Sequence, residues 1–575
     1  MDRVLFAPRT LPALRPDVAE DPIAYDTWVR QRAAERLAGG AVPPQTRSLH
    51  VLMVIDGVPP EETTESLLSL GVQTSEQWKL TVVAPQPWGT DVTSLLTSSG
   101  VRRPAQLLER PADTDPSDLF AAGLRAAGGD DVALLFPGDV WPPDAVSILS
   151  SSLLPESVVY ADDDDLDAHG RHVSPRLKPD FSPEFLLHSN YVGRPLAISA
   201  GVLQRLPGAA VESSIAREHD LAIRACEVAS EVRHVPEVLC HRRITPGRAG
   251  TDAAKDVRHI VNALDRRAAS AEVTPGPVAG TYQIRRPTRS LRTASVIIPF
   301  RDEPRYLRAC IDSIERTKGG VGHQYVLVDN GSVQPETTTL LERLVVRPNI
   351  TVVHDDRPFN WAALNNAAVD SAEGDVLVFL NNDIEALSEG WLDALCGQLE
   401  QADVGAVGAR LLYPDHRVQH CGVVIGLGGA AGHLLVGLDE AAPGYLDLAV
   451  TTRECSGVTG ACMATRRDTF EDLGRFDESL GIDLNDIDYC LRLQRAGFRV
   501  LYEPGAELIH YESPSRGTAG DVRDIVRFVK RWETNIVAGD RFLNPHLTRR
   551  DSSCALRDPG EDEWWQRWYR GLSSM

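Results

Sequence analysis

The sequence predicts an α/β protein built from two mostly parallel sheets in tandem. Three observations lead there. Short β-rich runs alternate with helical patterns, first from Leu49 and again from Ser295. The clearest run, Val376 to Leu380, is apolar at every position, as a strand buried on both faces must be, and it stops on Asn381-Asn382-Asp383. Three anchors also recur in the same order in both halves. Phe136-Pro137-Gly138-Asp139 stands for Leu380-Asn381-Asn382-Asp383, Arg217 to Arg224 for Leu484 to Arg492, and His234 to His241 for Tyr502 to His510. Asp220 precedes His241 by 21 residues and Asp488 precedes His510 by 22, which is the spacing of an internal repeat.

The elements follow in order. Residues 1–47 form a leader whose segment 21–37 reads as a helix stopped by Gly39-Gly40. Residues 48–275 form the first domain, with strand candidates at Leu49 to Ile55, Leu80 to Ala84 and Val132 to Phe136. Residues 276–292, rich in Gly, Pro and basic residues, read as a linker. Residues 293–547 form the second domain, with strands at Ser295 to Pro299, Tyr325 to Val328, Thr351 to His354 and Val376 to Leu380, and a helix over Glu303 to Arg316. Residues 548–575 are an aromatic and basic tail.

Composition narrows the function classes. A chain of 575 residues exceeds one core, so two or three domains are expected. The net charge of −22 argues against nucleic-acid binding, which needs a basic surface. The nine Cys are scattered without a Cys-x-x-Cys pair, which points to free thiols in a reducing compartment. The opening residues lack a long apolar segment and no apolar stretch of spanning length occurs, so a cytoplasmic location is expected. Two readings stand for Glu563 to Arg570: the segment packs back onto a domain, or it touches the inner face of a membrane, where Trp, Tyr and Arg are favoured.

In an open α/β sheet, ligands bind beyond the carboxyl ends of the strands, and that is where the chemistry-bearing residues fall. Asp329-Asn330-Gly331-Ser332 follows a strand and offers an acceptor to the base or ribose of a nucleotide, although Asn-Gly is equally a turn dipeptide. Pro299 and Arg301 end the strand before it and form another wall. Asp383 is a candidate ligand for a hard divalent cation, Mg²⁺ or Mn²⁺, which takes oxygen donors and neutralises a leaving diphosphate. His510, after an apolar run, completes that shell or merely packs. Asp486 is a candidate general base, with Asn485 as the cap of its helix; Asp488 satisfies the same first-turn electrostatics, and spacing alone does not separate the two. Arg516, in a loop, offers a bidentate grip on phosphate.

As an ordered set these residues resemble the family 2 inverting glycosyltransferases. The resemblance also rests on Phe359-Asn360-Trp361 through Asn365-Asn366, Gly374-Asp375, Thr459-Gly460-Ala461-Cys462, Phe476-Asp477-Glu478, Arg531-Trp532 and Asn544-Pro545. Within the family the chain is similar to bacterial two-domain enzymes of cell-surface polysaccharide synthesis, rhamnosyltransferase-like members included. The resemblance implies two GT-A-like (Rossmann-like, mostly parallel sheet) domains in tandem, the first degenerate. It implies a nucleoside diphosphate sugar donor and a glycan or lipid-linked glycan acceptor. On this sequence it places Asp329, Asn330, Ser332, Trp361, Asn366 and Asn382 at the donor, Asp383 and His510 at the metal, Asp486 as base, and Thr459, Gly460, Cys462 and Asp488 along the donor–acceptor loop.

The first half keeps Asp139, Glu218 and His241, the makings of a second site, but no Asp-x-Gly-Ser follows its strands. Its run Asp162 to Asp165 reads as a solvated loop, with cation binding as the lesser alternative. Two other classes compete. A sugar nucleotidyltransferase would carry a Gly-rich basic loop early in the chain, and residues 48–60 and 295–305 have none. A non-catalytic sugar-binding scaffold fits the first half better than the second.

Overall fold

The computed structural model describes residues 18, 21–39, 47–55, 60–86, 89–99, 101, 105–206, 217–243, 256–512 and 521–573. The chain divides into two compact units. One comprises Pro16–Ala269 with Val273–Tyr282; the other comprises Gln283–Met575 with Ser270–Glu272. The segment read as a linker is therefore not plain coil: Tyr282–Arg285 is a strand.

The second unit is built on a mixed sheet. Its strands lie in the order Ile350–His354, Gly322–Asp329, Thr293–Phe300, Val376–Leu380, Cys462–Arg466, Val404–Leu412, Arg499–His510 and Ile384–Ala386. The first four run parallel, and Cys462–Arg466 turns antiparallel between Val376–Leu380 and Val404–Leu412. All five side chains of Val376–Leu380 are buried, which accounts for the unbroken apolar run. Each such side chain contributes roughly 1.5–3 kcal/mol by leaving water. Pro304–Thr317 covers one face with Leu307, Cys310, Ile311 and Ile314, an i, i+3, i+4, i+7 stripe. Trp361–Val369 starts at Asn360, whose side-chain oxygen accepts from Ala363 N at 2.8 Å.

The first unit repeats this order strand for strand. Ala105–Arg110, Trp78–Pro85, Leu49–Val54, Asp131–Leu135, Leu196–Ile198, Ser157–Leu166, Glu231–Arg243 and Asp139–Val140 stand where the eight strands above stand. The parallel and antiparallel pairings agree as well. The leader helix is present as Pro22–Ala38.

A second apolar cluster in the second unit joins the hairpin Val423–Ile425/Ala431–His433, the helix Asn485–Arg495 and the helix Val522–Ala538. The tail helix Glu561–Ser573 turns inward onto that cluster through Trp565, Trp568 and Tyr569. Gly429, at φ +115°, leaves the space that the Trp568 ring occupies. Among the described residues no helix is long and apolar enough to cross a membrane.

Candidate active site

The parallel strands of the second unit deliver their carboxyl ends to one edge. Asp329 closes Gly322–Asp329 and is 7% exposed. One of its carboxylate oxygens accepts from Ser332 N at 3.0 Å, and the other lies 3.3 Å from His354 Nδ1, at the end of the neighbouring strand. Ser332 Oγ accepts from Asp302 N at 2.8 Å and ties this loop to the one that carries Arg301, which is exposed. Pro299 is buried opposite Val328. Asn330 does not reach outward: its side-chain N–H donates to the carbonyls of Asp355 (2.7 Å) and Arg357 (2.8 Å). Asp329 and Leu380 end strands two places apart, a gap of about 10 Å.

Beyond Leu380 the chain turns through Asn381 and the half-buried Asn382 into Asp383, 6% exposed. Ile384 pairs with His510, so register alone brings Asp383 beside that imidazole, with Oδ1 3.3 Å from Nε2. His510 Nδ1 lies 2.7 Å from Gln419 Oε1, which holds the ring with Nε2 turned toward Asp383. Asn381 Nδ2 lies 3.3 Å from the same nitrogen, and Asn381 Oδ1 accepts from Trp361 Nε1 at 3.3 Å. A carboxylate oxygen and an imidazole nitrogen facing each other fit a divalent cation.

The helix Asn485–Arg495 brings the candidate base to the same edge. Its cap is Leu484, in the left-handed region at φ 62°, not the Asn485 side chain, which donates to Leu480 O at 3.1 Å. Sequence alone cannot reveal that local turn. Asp486 Oδ2 accepts from Gly460 N at 2.7 Å and Oδ1 from Ile487 N at 2.8 Å. Gly460 has no room for a side chain, because a Cβ there would lie 2.5 Å from the Trp361 ring. One residue on, Ala461 O accepts from Asn381 N at 3.1 Å, so the Thr459–Cys462 loop links the base directly to the metal-side turn. Thr459 is half-buried; Cys462 is fully buried and pairs with Leu380, and burial pushes its thiol far above the ordinary range. Burial also raises the Asp486 carboxyl above its usual value, while its backbone donors pull the other way.

The neighbour that spacing could not separate is a different kind of group. Asp488 is fully buried and accepts from Arg492 Nε (2.9 Å), Arg531 (2.7 Å) and Trp532 Nε1 (2.9 Å). It clamps its own helix to Val522–Ala538 and leaves no face for an acceptor. Asn366 is likewise committed: its amide bonds Phe476 O (2.9 Å), Glu478 Oε1 (3.1 Å) and Phe476 N (3.1 Å). Arg516 lies outside the described residues.

His433, unremarked in the sequence, stands half-buried in the electrostatic field of both Asp486 and His510. Burial lowers its pKa, and the Asp486 charge opposes that. The run Gly426-Leu-Gly-Gly-Ala-Ala-Gly432 just before it is the signal that could have found it.

In the first unit the corresponding residues do not assemble. Arg194 donates to Asp139 Oδ1 at 2.8 Å and to Glu218 Oε2 at 2.9 Å, bridging the two carboxylates. His241 turns instead to Asp164, its Nδ1 2.6 Å from Oδ1. The Asp162 to Asp165 run is no loop. It lies within the strand Ser157–Leu166, with Asp162, Asp163 and Asp164 at 0–1% exposure. Charges can be buried there because partners arrive from other elements: His234 on Asp162, and Arg176, Lys178 and Arg242 on Asp163.

Both family matches fall in the second unit. The model described as Glycosyl transferase family 2 matches residues 295–474, and that described as Glycosyl transferase family group 2 matches residues 439–573. The chain is 34% identical to the O-antigen biosynthesis protein RfbC of Myxococcus xanthus, over 97% of this chain and 45% of that protein. It is 31% identical to the uncharacterized protein y4gI of Sinorhizobium fredii, over 92% of this chain and 61% of that one. The chain thus spans about half the length of these curated relatives. Among solved structures it is similar to GalNAc-T7 with UDP, GalNAc and Mn²⁺, at 14% identity and a TM-score of 0.34, over 44% of this chain and 50% of that one. Residues 295–474 thus form a domain of the glycosyl transferase family 2 type.

Proposed function

We propose that the chain is an inverting glycosyltransferase that moves a sugar from a nucleoside diphosphate sugar to a hydroxyl of a glycan or lipid-linked glycan in cell-surface polysaccharide synthesis. Residues 293–547 are the catalytic domain in this reading, and residues 48–275 a degenerate copy. The observation that carries it is one carboxylate, Asp486, held only by backbone N–H groups among the described residues, on the sheet edge where Asp383 meets His510. The name of the Myxococcus relative supports the polysaccharide setting.

Asp329 receives the nucleoside, with Pro299, Arg301 and Ser332 as the wall of its pocket. Asp383 and His510 Nε2 would hold Mg²⁺ or Mn²⁺. When bound, that ion neutralises charge building on the departing diphosphate. Asp486 takes the proton from the acceptor hydroxyl. The freed oxygen bonds to the anomeric carbon from the face opposite the diphosphate as the carbon–oxygen bond to the diphosphate breaks, and a single displacement inverts that carbon. Trp361 and the Thr459–Cys462 loop keep the base and the diphosphate side in register.

A panel of UDP-, GDP- and dTDP-sugars, read by released nucleoside diphosphate, tests the reading. The expected result is turnover with one donor, abolished by chelation. Full activity in excess EDTA would remove Asp383 and His510 from a metal role. No release with any donor and acceptor would return the chain to the sugar-binding class.

A further inference from the structure

We propose that Asp164, His172 and His241 form a binding site for a zinc-class divalent ion in the first unit, separate from the Asp383–His510 pair and independent of any transfer activity. Three donor groups from three strands converge there, and their ligand atoms all lie within 4.8 Å of one another. His172 Nδ1 stands 2.9 Å from Asp164 Oδ2, and His241 Nδ1 stands 2.6 Å from Asp164 Oδ1. The two imidazoles meet edge to face with centroids 4.5 Å apart, so both rings present the same nitrogen to one point.

The charges around the strand single out this carboxylate. Next to it, Asp163 is matched by Arg176, Lys178 and Arg242, all permanent cations. Asp164 is just as buried, at 0% exposure, yet among the described residues its ion-pair partners are two imidazoles and no Arg or Lys. A dication supplies the positive charge that this position lacks. Topology adds an independent reason. His241 pairs with Val140 as His510 pairs with Ile384, so it is the counterpart of the second unit's metal-side histidine. The carboxylate that should serve it, Asp139, is bound by Arg194, and Asp164 with His172 stands in its place.

Donor chemistry chooses the ion. Two imidazoles and one carboxylate suit Zn²⁺, whereas Mg²⁺ and Mn²⁺ prefer oxygen sets. Two donors on a tetrahedral zinc stand about 3.3 Å apart, so the two imidazole nitrogens need to draw back by only about 0.4 and 0.7 Å from the carboxylate oxygens that they meet. The Tyr25 hydroxyl, from Pro22–Ala38, donates to Asp164 Oδ2 at 2.9 Å and fixes the carboxylate from outside. A bound ion would fasten the strands Ser157–Leu166, His172–Arg176 and Glu231–Arg243 beneath that helix.

The test uses the full chain, stripped with a chelator and titrated with Zn²⁺ against a chromogenic competitor. We expect one equivalent bound by the wild type and by Asp383→Asn, and affinity lower by about 100-fold or more in His172→Gln/His241→Gln. Zn²⁺ should raise Tm in the first two proteins and not in the third. Equal Zn²⁺ affinity in the wild type and the double variant, or loss of the ion in Asp383→Asn, would overturn the assignment. Should the double variant fold poorly, X-ray absorption at the zinc edge of the wild type decides. Two imidazole nitrogens with oxygen are expected, and a shell with one imidazole or none refutes the site.

Discussion

Both units send a short strand out from the fourth parallel strand to pair with a long final strand, and in both an aspartate stands at its entry. In the second unit Asp383 faces His510, and Asp486 holds Gly460, one residue before the Ala461 carbonyl that accepts from Asn381. In the first, Asp139 and Glu218 share the guanidinium of Arg194, which also lies 3.9 Å over the Phe136 ring. The register explains the source of that arginine. Leu134 pairs with Leu196 and Leu380 with Cys462; laying Phe136 on Leu380 sets Arg194 at the position of Cys462. One side chain thus separates an open strand edge from one neutralised from within. A fold this tolerant keeps its strand order while the chemistry at its ends is rewritten.

The comparison breaks most sharply at the base. Asp486→Asn should lower kcat by about 10²–10⁴-fold with donor affinity little changed, while Glu218→Gln leaves kcat unaltered. Steady-state kinetics with direct donor titration checks both. Because burial raises the Asp486 pKa, the acid limb of kcat/KM should lie above the ordinary carboxylate range, with activity falling as pH drops through it. The stability effect has the opposite sign. A carboxyl whose folded pKa exceeds its unfolded value penalises the folded state at pH above the unfolded value, and the penalty fades on acidification. Asp486→Asn should therefore raise Tm at neutral pH, with the gain vanishing in acid. A variant that is both inactive and less stable at pH 7 would contradict this.

Much of this was legible in the letters, for identifiable reasons. Val376 to Leu380 must be buried on both faces, so its strand and the Asp383 beyond it follow from apolarity and from the rule for strand ends. The repeat was legible because Asp220 and Asp488, each bonded to an arginine four residues on, fix a helix in the same place. What stayed hidden depends on distant partners. Asp486 and Asp488 look alike until Arg531 and Trp532, more than forty residues later, close on the second of them. Asp162 to Asp164 resemble solvated charges until His234, His241 and Arg242 arrive from another strand. The Leu484 turn has no sequence signature, since leucine seldom adopts positive φ.

Next in size is the arginine itself. Arg194→Met strands Asp139, 1% exposed, beside Glu218, and should cost about 3–5 kcal/mol, read by urea unfolding. Adding Asp139→Asn and Glu218→Gln should recover most of that loss. No recovery would mean that Arg194 acts through its contact with Phe136 and not through charge. Asp488→Asn, in the second unit, should cost somewhat less, about 2–3 kcal/mol, because Arg492 and Arg531 keep some access to water. Its kcat per folded molecule should fall far less than that of Asp486→Asn, which separates a clamp from a base.

The smallest effect concerns a feature that the second unit has and the described residues of the first do not. Trp568 lies against Gly429 at the foot of the hairpin that carries His433. Its ring is only partly buried, so Trp568→Ala should cost about 1–2 kcal/mol by lost apolar contact. The more telling readout is kinetic. If the tail helix braces the hairpin, Trp568→Ala should lower kcat several-fold without moving the acid limb set by Asp486, because the hairpin loosens while the base keeps its burial. An unchanged kcat with the same stability loss would make the tail a packing element alone. Gly429→Ala should cost more than Trp568→Ala, since a Cβ at 429 displaces the same ring and also strains a backbone at φ +115°.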